Sequence, residues 1–287
     1  METFQLSEKL LKKIADLILA KKNTPLKKIV KDIHFADMAE IINELNEDQG
    51  IYLIKLFDSE KTSEILTELD EDVREKILKA LSVKEIADEI EELDSDDAAD
   101  ILGELSDQRK EEVISEISDN NLADDLKELL SYDEDSAGGL MAKELVQANE
   151  NWSVTKCLKE IKKQGESVTR VHSIYVVDDK QKLIGRLSLK DLITSPSKNL
   201  IKDIYIPKVD SVNVFVDGEE VAKIMSKYDL EAIPVIDNKK QLVGRITIDD
   251  IVDFIKEEAE EDYLLAAGVQ GDVEADDSIF ELTKARL

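Results

Sequence analysis

Internal repetition at two different periods constrains the fold of this chain more than any other feature. In the first half, AEIINELNED from Ala39, SEILTELDED from Ser63 and ADEIEELDSD from Ala87 recur at a step of 24 residues. Leu45, Leu69 and Leu93 hold one position of the repeat, Glu40, Glu64 and Asp88 a second, and Asn46, Asp70 and Asp94 a third. A weaker fourth copy puts Ile117 and Ser118 at the leucine and Asn/Asp positions. Twenty-four residues accommodate two short helices and two turns. An Asn, Asp or Ser directly after the leucine suits a helix N-cap, whose side-chain oxygen accepts one of the N–H groups that a first turn leaves unpaired. Residues 36–130 contain no proline and little glycine. The first half is therefore expected to be an α-helical superhelix of stacked pairs.

From Ser131 the pattern changes. SYDEDSAGGLM is a polar, glycine-bearing connector, and β-branched runs then alternate with helical segments. These segments repeat at an offset of 59: SIYVVDDKQKLIGRLSLKDLI begins at Ser173 and AIPVIDNKKQLVGRITIDDIV at Ala232. Asp178 matches Asp237, Gly185–Arg186 match Gly244–Arg245, Ser188 matches Thr247, and Asp191 matches Asp250. Each copy reads as helix, strand, turn, strand, helix. The whole chain is expected to be multidomain, α followed by α+β.

Charge narrows the function classes. Lys+Arg number 38 and Asp+Glu 66, a net charge of −28. A surface this negative on average repels nucleic acid and anionic lipid headgroups and attracts cations. One cysteine, Cys157, excludes a disulfide framework, and two histidines, His34 and His172, do not suggest a zinc enzyme. There is no Ser/His/Asp set and no phosphate loop, and Gly138–Gly139 sits in a connector, so the chain is not expected to be an enzyme. Leu6, Leu10, Ile14, Leu17 and Ile18 recur at helical spacing between lysines, reading as an amphipathic helix rather than a signal peptide. No run of about 18 apolar residues occurs. A cytoplasmic, soluble piece is the expectation.

The tandem motif V-[VI]-D-x-x-x-x-L-[IV]-G-R-[LI]-[ST]-[LI]-x-D resembles a pair of cystathionine-β-synthase (CBS) domains. That resemblance implies a cleft able to take an adenine nucleotide such as ATP, with Ser188/Asp191 and Thr247/Asp250 holding ribose and phosphate. On the residues alone, Ser188 and Thr247 also read as helix caps, and both readings stand. The order of acidic helical repeat, YDEDSAGGLM, two CBS units and an acidic helix resembles the cytosolic part of MgtE-type magnesium transporters. The implied domains are a helical N domain (1–130), a connector (131–140), CBS 1 (141–200), CBS 2 (201–256), an acidic "plug" helix (249–267) overlapping the end of CBS 2, and an approach to a membrane pore domain (268–287). The resemblance further implies a homodimer through the CBS domains, a transmembrane pore as partner, and a place at the cytoplasmic face of the membrane.

Acidic clusters supply the candidate metal residues. Eight carboxylates fall within residues 249–262, opposed only by Lys256. Many share one helical face, where like charges at i,i+4 repel. A second cluster surrounds Asp96, Asp97 and Asp100, and a third comprises Asp217, Glu219, Glu220 and Asp229. Magnesium takes oxygen ligands and keeps several waters, which suits scattered carboxylates. The resemblance implies as magnesium ligands Asp250, Asp253, Glu258, Glu261 and Asp262 on the plug helix, and Asp217, Glu219, Asp229 and the Ser226 carbonyl on CBS 2. On the N domain it implies Glu64, Asp96 and Asp100. The expected function is an intracellular magnesium sensor, closing the pore when ions bridge these faces. The alternative is a nucleotide-sensing CBS regulator, although His172–Ser173 stands where a stacking aromatic is wanted.

Overall fold

The computed structural model describes residues 6–165, 168 and 170–266, with the side chains of residues 260–262 and 264–266 excepted. The chain divides into two compact units, Met1–Glu128 and Leu129–Leu287. No helix among the described residues is long and apolar enough to cross a membrane.

The first unit is helical throughout. It contains α1 (Glu8–Leu19), α2 (Asn23–Val30), α3 (Phe35–Asn43), α4 (Glu47–Ile54), α5 (Ser59–Thr67), α6 (Glu71–Ala80), α7 (Val83–Ile90), α8 (Ser95–Gly103), α9 (Asp107–Glu116) and the start of α10 (Asn120–Leu129). Helices α3, α5, α7 and α9 begin at residues 35, 59, 83 and 107, and α4, α6 and α8 at 47, 71 and 95, so the 24-residue step is one helical pair. Packing follows the repeat: α3 lies on α5, α5 on α7 and α7 on α9. The recurring residues all fall at N-cap positions, and Asn46 shows the expected side-chain cap. Asn46 and Gln49 close a reciprocal capping box on α4, and Asp70 and Asp94 occupy the N-cap positions of α6 and α8. The fourth copy slips by one residue. Ile117 is buried as expected, but Asp119 rather than Ser118 does the capping, its carboxylate accepting the Asn121 N–H at 2.8 Å. Arg74 ties two repeats together, reaching the Leu69 carbonyl at 2.9 Å and the Glu104 carboxylate at 2.6 Å.

The second unit contains β1 (Val146–Asn149), α11 (Val154–Gln164), β2 (Ile174–Val177), β3 (Leu183–Leu187), α12 (Leu189–Thr194), β4 (Ile206–Pro207), β5 (Val212–Asn213), α13 (Gly218–Tyr228), β6 (Ala232–Ile236), β7 (Leu242–Thr247) and α14 (Ile248–Ala266). One sheet has the order β1-β2-β3-β4, the other β5-β6-β7. In each, a parallel pair precedes an antiparallel hairpin, and both hairpins carry an irregularity at the same repeat position. Matched aspartates build matched turns. Asp178 accepts the N–H groups of Lys180 and Lys182, and Asp237 those of Lys239 and Gln241. The two turns then join each other through the Leu183 N–H to the Lys240 carbonyl and the Leu242 N–H to the Gln181 carbonyl. Gly244 is required because a Cβ there would lie 2.8 Å from the Ala142 backbone carbonyl, where residues 141–142 cross β7. Val146, Val154, Ile174, Val176 and Leu192 form the first core with Cys157, whose thiol burial pushes up to about 11 and so leaves unreactive.

Candidate functional site

In the second unit the acidic residues gather around α13 and α14. Asp217 caps α13, accepting the Glu219 N–H at 3.0 Å, and Glu219 pairs with Lys223 one turn on. At the other end Asp229 takes the left-handed conformation (φ 54°). That turn sends the Leu230 N–H to the Met225 carbonyl at 3.0 Å. The Ser226 carbonyl, whose i+4 amide is thereby diverted, keeps its acceptor capacity at the negative end of the helix. Gly218 brings this element against α14: a Cβ on it would lie 2.7 Å from Phe254 Cζ and 2.8 Å from Leu140 Cδ1. The Asp217–Glu219 corner therefore sits beside the turn of α14 that carries Asp253.

Helix α14 begins on a tight polar knot. Asp250 Oδ2 accepts the Thr247 N–H at 2.8 Å and lies 2.7 Å from the Thr247 hydroxyl, which also contacts Asp249. With one proton to give, that hydroxyl serves one carboxylate at a time. Burial pushes the Asp249 carboxyl up. The Thr247 hydroxyl, the backbone and the charges of His172 and Arg245 outweigh it, and the carboxyl stays below its usual value. Burial likewise raises Asp253; Lys256 opposes the rise, and Asp250 and Asp249 add to it. The first repeat differs. Ser188 is a plain N-cap, its oxygen accepting the Asp191 N–H at 3.1 Å, and Ser195 donates to the Asp191 carbonyl. The hydroxyl that accepts in one copy donates in the other.

Of the remaining candidates, Asp229 and Glu219 are exposed and Glu258 is half-buried. The side chains of Glu261 and Asp262 lie outside the described residues, as do residues 267–287. In the first unit Glu64 is exposed on α5, while Asp96 sits with Asp97 in the first turn of α8, where the helix dipole favours negative charge, and Asp100 follows one turn later. Among the described residues no three Asp, Glu, His or Cys side chains converge closely enough to hold a metal ion. The acids are oxygen donors suited to a hard, hydrated cation, and neither unit by itself forms a closed cage from its described residues.

Near the expected nucleotide cleft, His172, Ser173 and Tyr175 face Leu145, Val146 and Arg245 around a cavity of about 10 Å³. That space holds one water, so an adenine ring requires side-chain movement. His172 Nδ1 lies 3.8 Å from Glu231 Oε2. Sequence reasoning missed one feature of this unit, a set of apolar side chains left exposed at matching repeat positions. Leu189 and Ile193 on α12 are 45% and 62% exposed, and their repeat partners Ile248 and Val252 on α14 are 38% and 54% exposed, with Ile255 one turn beyond. The offset of 59 was the signal that would have found it.

Comparison with known proteins agrees with this architecture. Residues 33–135 match the MgtE intracellular N domain, and residues 137–198 and 201–257 match the CBS domain. The magnesium transporter MgtE of Thermus thermophilus is 41% identical over 134 residues, 47% of this chain and 30% of that protein. That of Enterococcus faecalis is 40% identical over 141 residues, 49% of this chain and 31% of that protein. The matched region thus spans about a third of the length of these curated relatives. The solved cytosolic domain of the Mg2+ channel MgtE in complex with ATP superposes with a TM-score of 0.78 at 30% identity, covering 85% of this chain and 99% of that one. The soluble part of a magnesium transporter gives 0.73 at 28% identity, covering 88% and 99%.

Proposed function

This chain belongs to the MgtE family of magnesium transporters, as its cytosolic region, and from that premise we propose that it is the intracellular magnesium sensor that gates a transport pore. The relatives that match at 40% identity or more are magnesium transporters, and the solved relative with a TM-score of 0.78 is the cytosolic domain of a Mg2+ channel. The observation that carries the proposal is the split donor set. Carboxylates gather on α8, on the ends of α13 and along α14, yet no metal cage closes among the described residues of either unit. Ions held by Asp217, Glu219, the Ser226 carbonyl, Asp229, Asp250, Asp253, Glu258, Glu261 and Asp262, and by Glu64, Asp96 and Asp100, would neutralise faces that otherwise repel. When bound, magnesium supplies positive charge and a shell of ordered waters. Because ions bind the compact arrangement better than the open one, they shift its population by mass action, and the compact form holds the pore shut.

The exposed apolar side chains Leu189, Ile193, Ile248, Val252 and Ile255, at matching positions of the two repeats, support a homodimer through the CBS units, since exposed apolar side chains on a charged protein suit an interface. Placement at the cytoplasmic face of the membrane follows from the same reading. A nucleotide reading is favoured by one observation: the solved relative at 30% identity was crystallised with ATP. Ser188, Asp191, Thr247 and Asp250 would hold ribose and phosphate. Both ligands then use Asp250, and they act together or compete there.

Calorimetric titration with magnesium chloride, alongside limited proteolysis across the same range, tests the sensor. Saturable binding at millimolar ion with slowed cleavage is the expected result. Absence of binding heat together with an unchanged cleavage pattern rules it out. Repeating the titration with ATP separates the two readings.

A further inference from the structure

The net charge of −28 conceals a patch of the opposite sign. Between Leu6 and Lys31 the chain carries eight lysines, Lys9, Lys12, Lys13, Lys21, Lys22, Lys27, Lys28 and Lys31, against two acids, Glu8 and Asp16, a local charge of +6. All eight lysines are exposed. None makes an ion pair among the described residues, whereas lysines later in the same unit, such as Lys55, Lys76 and Lys79, are paired with glutamate or aspartate. Burial explains their arrangement. On α1 the packed face is Leu10, Leu11, Ile14, Leu17 and Ile18; Lys9 and Lys12 fall on the opposite side of the helix and Lys13 at the exposed edge of that face. On α2 the packed residues are Leu26 and Val30; Lys28 falls opposite, Lys27 flanks them, and Lys31 follows at the C-cap, all three exposed. Lys21 and Lys22 occupy the short link between the two helices, which pack on each other, and Leu19 beside them is 73% exposed. The matched N-domain region begins only at residue 33, so this helix pair lies outside it.

We propose that the α1–α2 pair is a docking surface for anionic phospholipid headgroups. Its apolar residues are already spent on the unit's own core, so the contact is electrostatic, through lysines on the outer faces, with Leu19 at the link as the one large apolar residue available to enter the headgroup layer. Polybasic surfaces of this size bind anionic bilayers with roughly a fivefold gain per lysine near the surface, and they lose that gain as salt shortens the Debye length. An acidic protein held beside a negative membrane is repelled over most of its surface, and one basic patch decides which face approaches. The choice of lipid over another polyanion rests on the proposed setting at a membrane. The measurement below uses no magnesium, so its failure leaves the sensor reading standing.

The whole chain is sedimented with vesicles of phosphatidylcholine alone and with vesicles containing phosphatidylglycerol, at low and high salt. The expected result is binding only to the anionic vesicles, abolished by high salt, and weakened at least tenfold by the combined change Lys12→Gln, Lys13→Gln, Lys27→Gln, Lys28→Gln. These positions are solvent-facing, and an unchanged circular dichroism spectrum and melting temperature show that the variant folds. A control that neutralises Lys156, Lys159, Lys162 and Lys163 on α11 is expected to bind as the parent does. Equal binding to both vesicle types, equal loss in both variants, or retention on nucleic acid without vesicle binding overturns the proposal.

Discussion

Replacing Glu89 with glutamine is expected to stabilise the helical unit above neutral pH and to leave it unchanged in acid. The repeat shows why. At a step of 24, Glu89 occupies the position held by Ile41, Ile65 and Val113, all three fully buried. A carboxylate therefore sits where the superhelix places core side chains, half-buried, with Oε2 sequestered and without a hydrogen-bond partner. Burial pushes its pKa from 4.5 to about 7, and the neighbouring charges of Asp88, Glu92, Glu85 and Asp58 push the same way. A folded-state pKa raised above the unfolded value means that the protonated form suits the fold. The stability this gives is complete below about 4.5 and is lost as pH rises through about 7. That displacement corresponds to about 3 kcal/mol. Glu89 is partly exposed, and screening by solvent reduces the figure to about 1–2 kcal/mol. Glutamine carries no charge at any pH. Glu89→Gln should thus raise the calorimetric melting temperature of the first unit by roughly 3–8 °C at pH 8.5 and by nothing measurable at pH 4.5. Differential scanning calorimetry of the whole chain at both values reads this directly. A gain independent of pH, or one larger in acid, refutes the account of Glu89 as a misplaced charge.

Three other outcomes follow from named contacts. Arg74→Met should destabilise the first unit by about 2–4 kcal/mol in urea denaturation, because it strands the Glu104 carboxyl, which burial already raises and which Arg74 holds down; the double change with Glu104→Leu should recover most of the loss. Gly218→Ala should destabilise the second unit by about 1–3 kcal/mol through collision with Phe254 and Leu140, and Phe254→Leu in the same chain should relieve part of it. Leu189→Glu with Val252→Glu should turn the proposed dimer into a monomer by analytical ultracentrifugation while the melting temperature stays within about 1–2 °C, since both side chains are exposed in the single chain.

Much of the fold was legible because both repeats write their structure in local chemistry. Asn46, Asp70 and Asp94 stand at the N-cap positions they were expected to hold, Asn46 with its side-chain bond, and the paired aspartates Asp178 and Asp237 build equivalent turns. The slip from Ser118 to Asp119 shows the limit of that reading: Ser, Asp and Asn stand next to one another there, every one of them a competent cap, and burial of Ile117 and Ala123 decides among them. The candidate site was less legible. Residue type alone does not reveal that Thr247 donates to its aspartate while Ser188 accepts from its own, because the difference arises from tertiary surroundings. The Ser226 carbonyl has no side-chain signature at all; its availability comes from the left-handed turn at Asp229.

Asp250 offers the sharpest way to decide which ligand the second unit is built for. Its Oδ2 is already engaged by the Thr247 amide and sits within reach of the Thr247 hydroxyl, and any cation that takes this carboxylate shares or displaces those bonds. A hydrogen bond to a charged group contributes about 1.5–3 kcal/mol, so the knot acts as a competitor to metal. Thr247→Val keeps the size of the side chain and the backbone amide and removes only the hydroxyl. With the competitor gone, the carboxylate lone pairs that the hydroxyl engaged are open to a cation. Magnesium binding at neutral pH should tighten by about threefold to tenfold, the fraction of that energy which sharing does not already recover. A nucleotide held by the same pair should respond in the opposite sense, because the hydroxyl is then one of its own partners, and ATP should bind at least tenfold more weakly. Titrating both ligands into the Thr247→Val chain thus gives shifts of opposite sign if Asp250 serves both. If magnesium affinity instead falls together with ATP affinity, the hydroxyl supports the cation rather than competing with it, and the account of Asp250 as a carboxylate contested by its own helix cap is wrong.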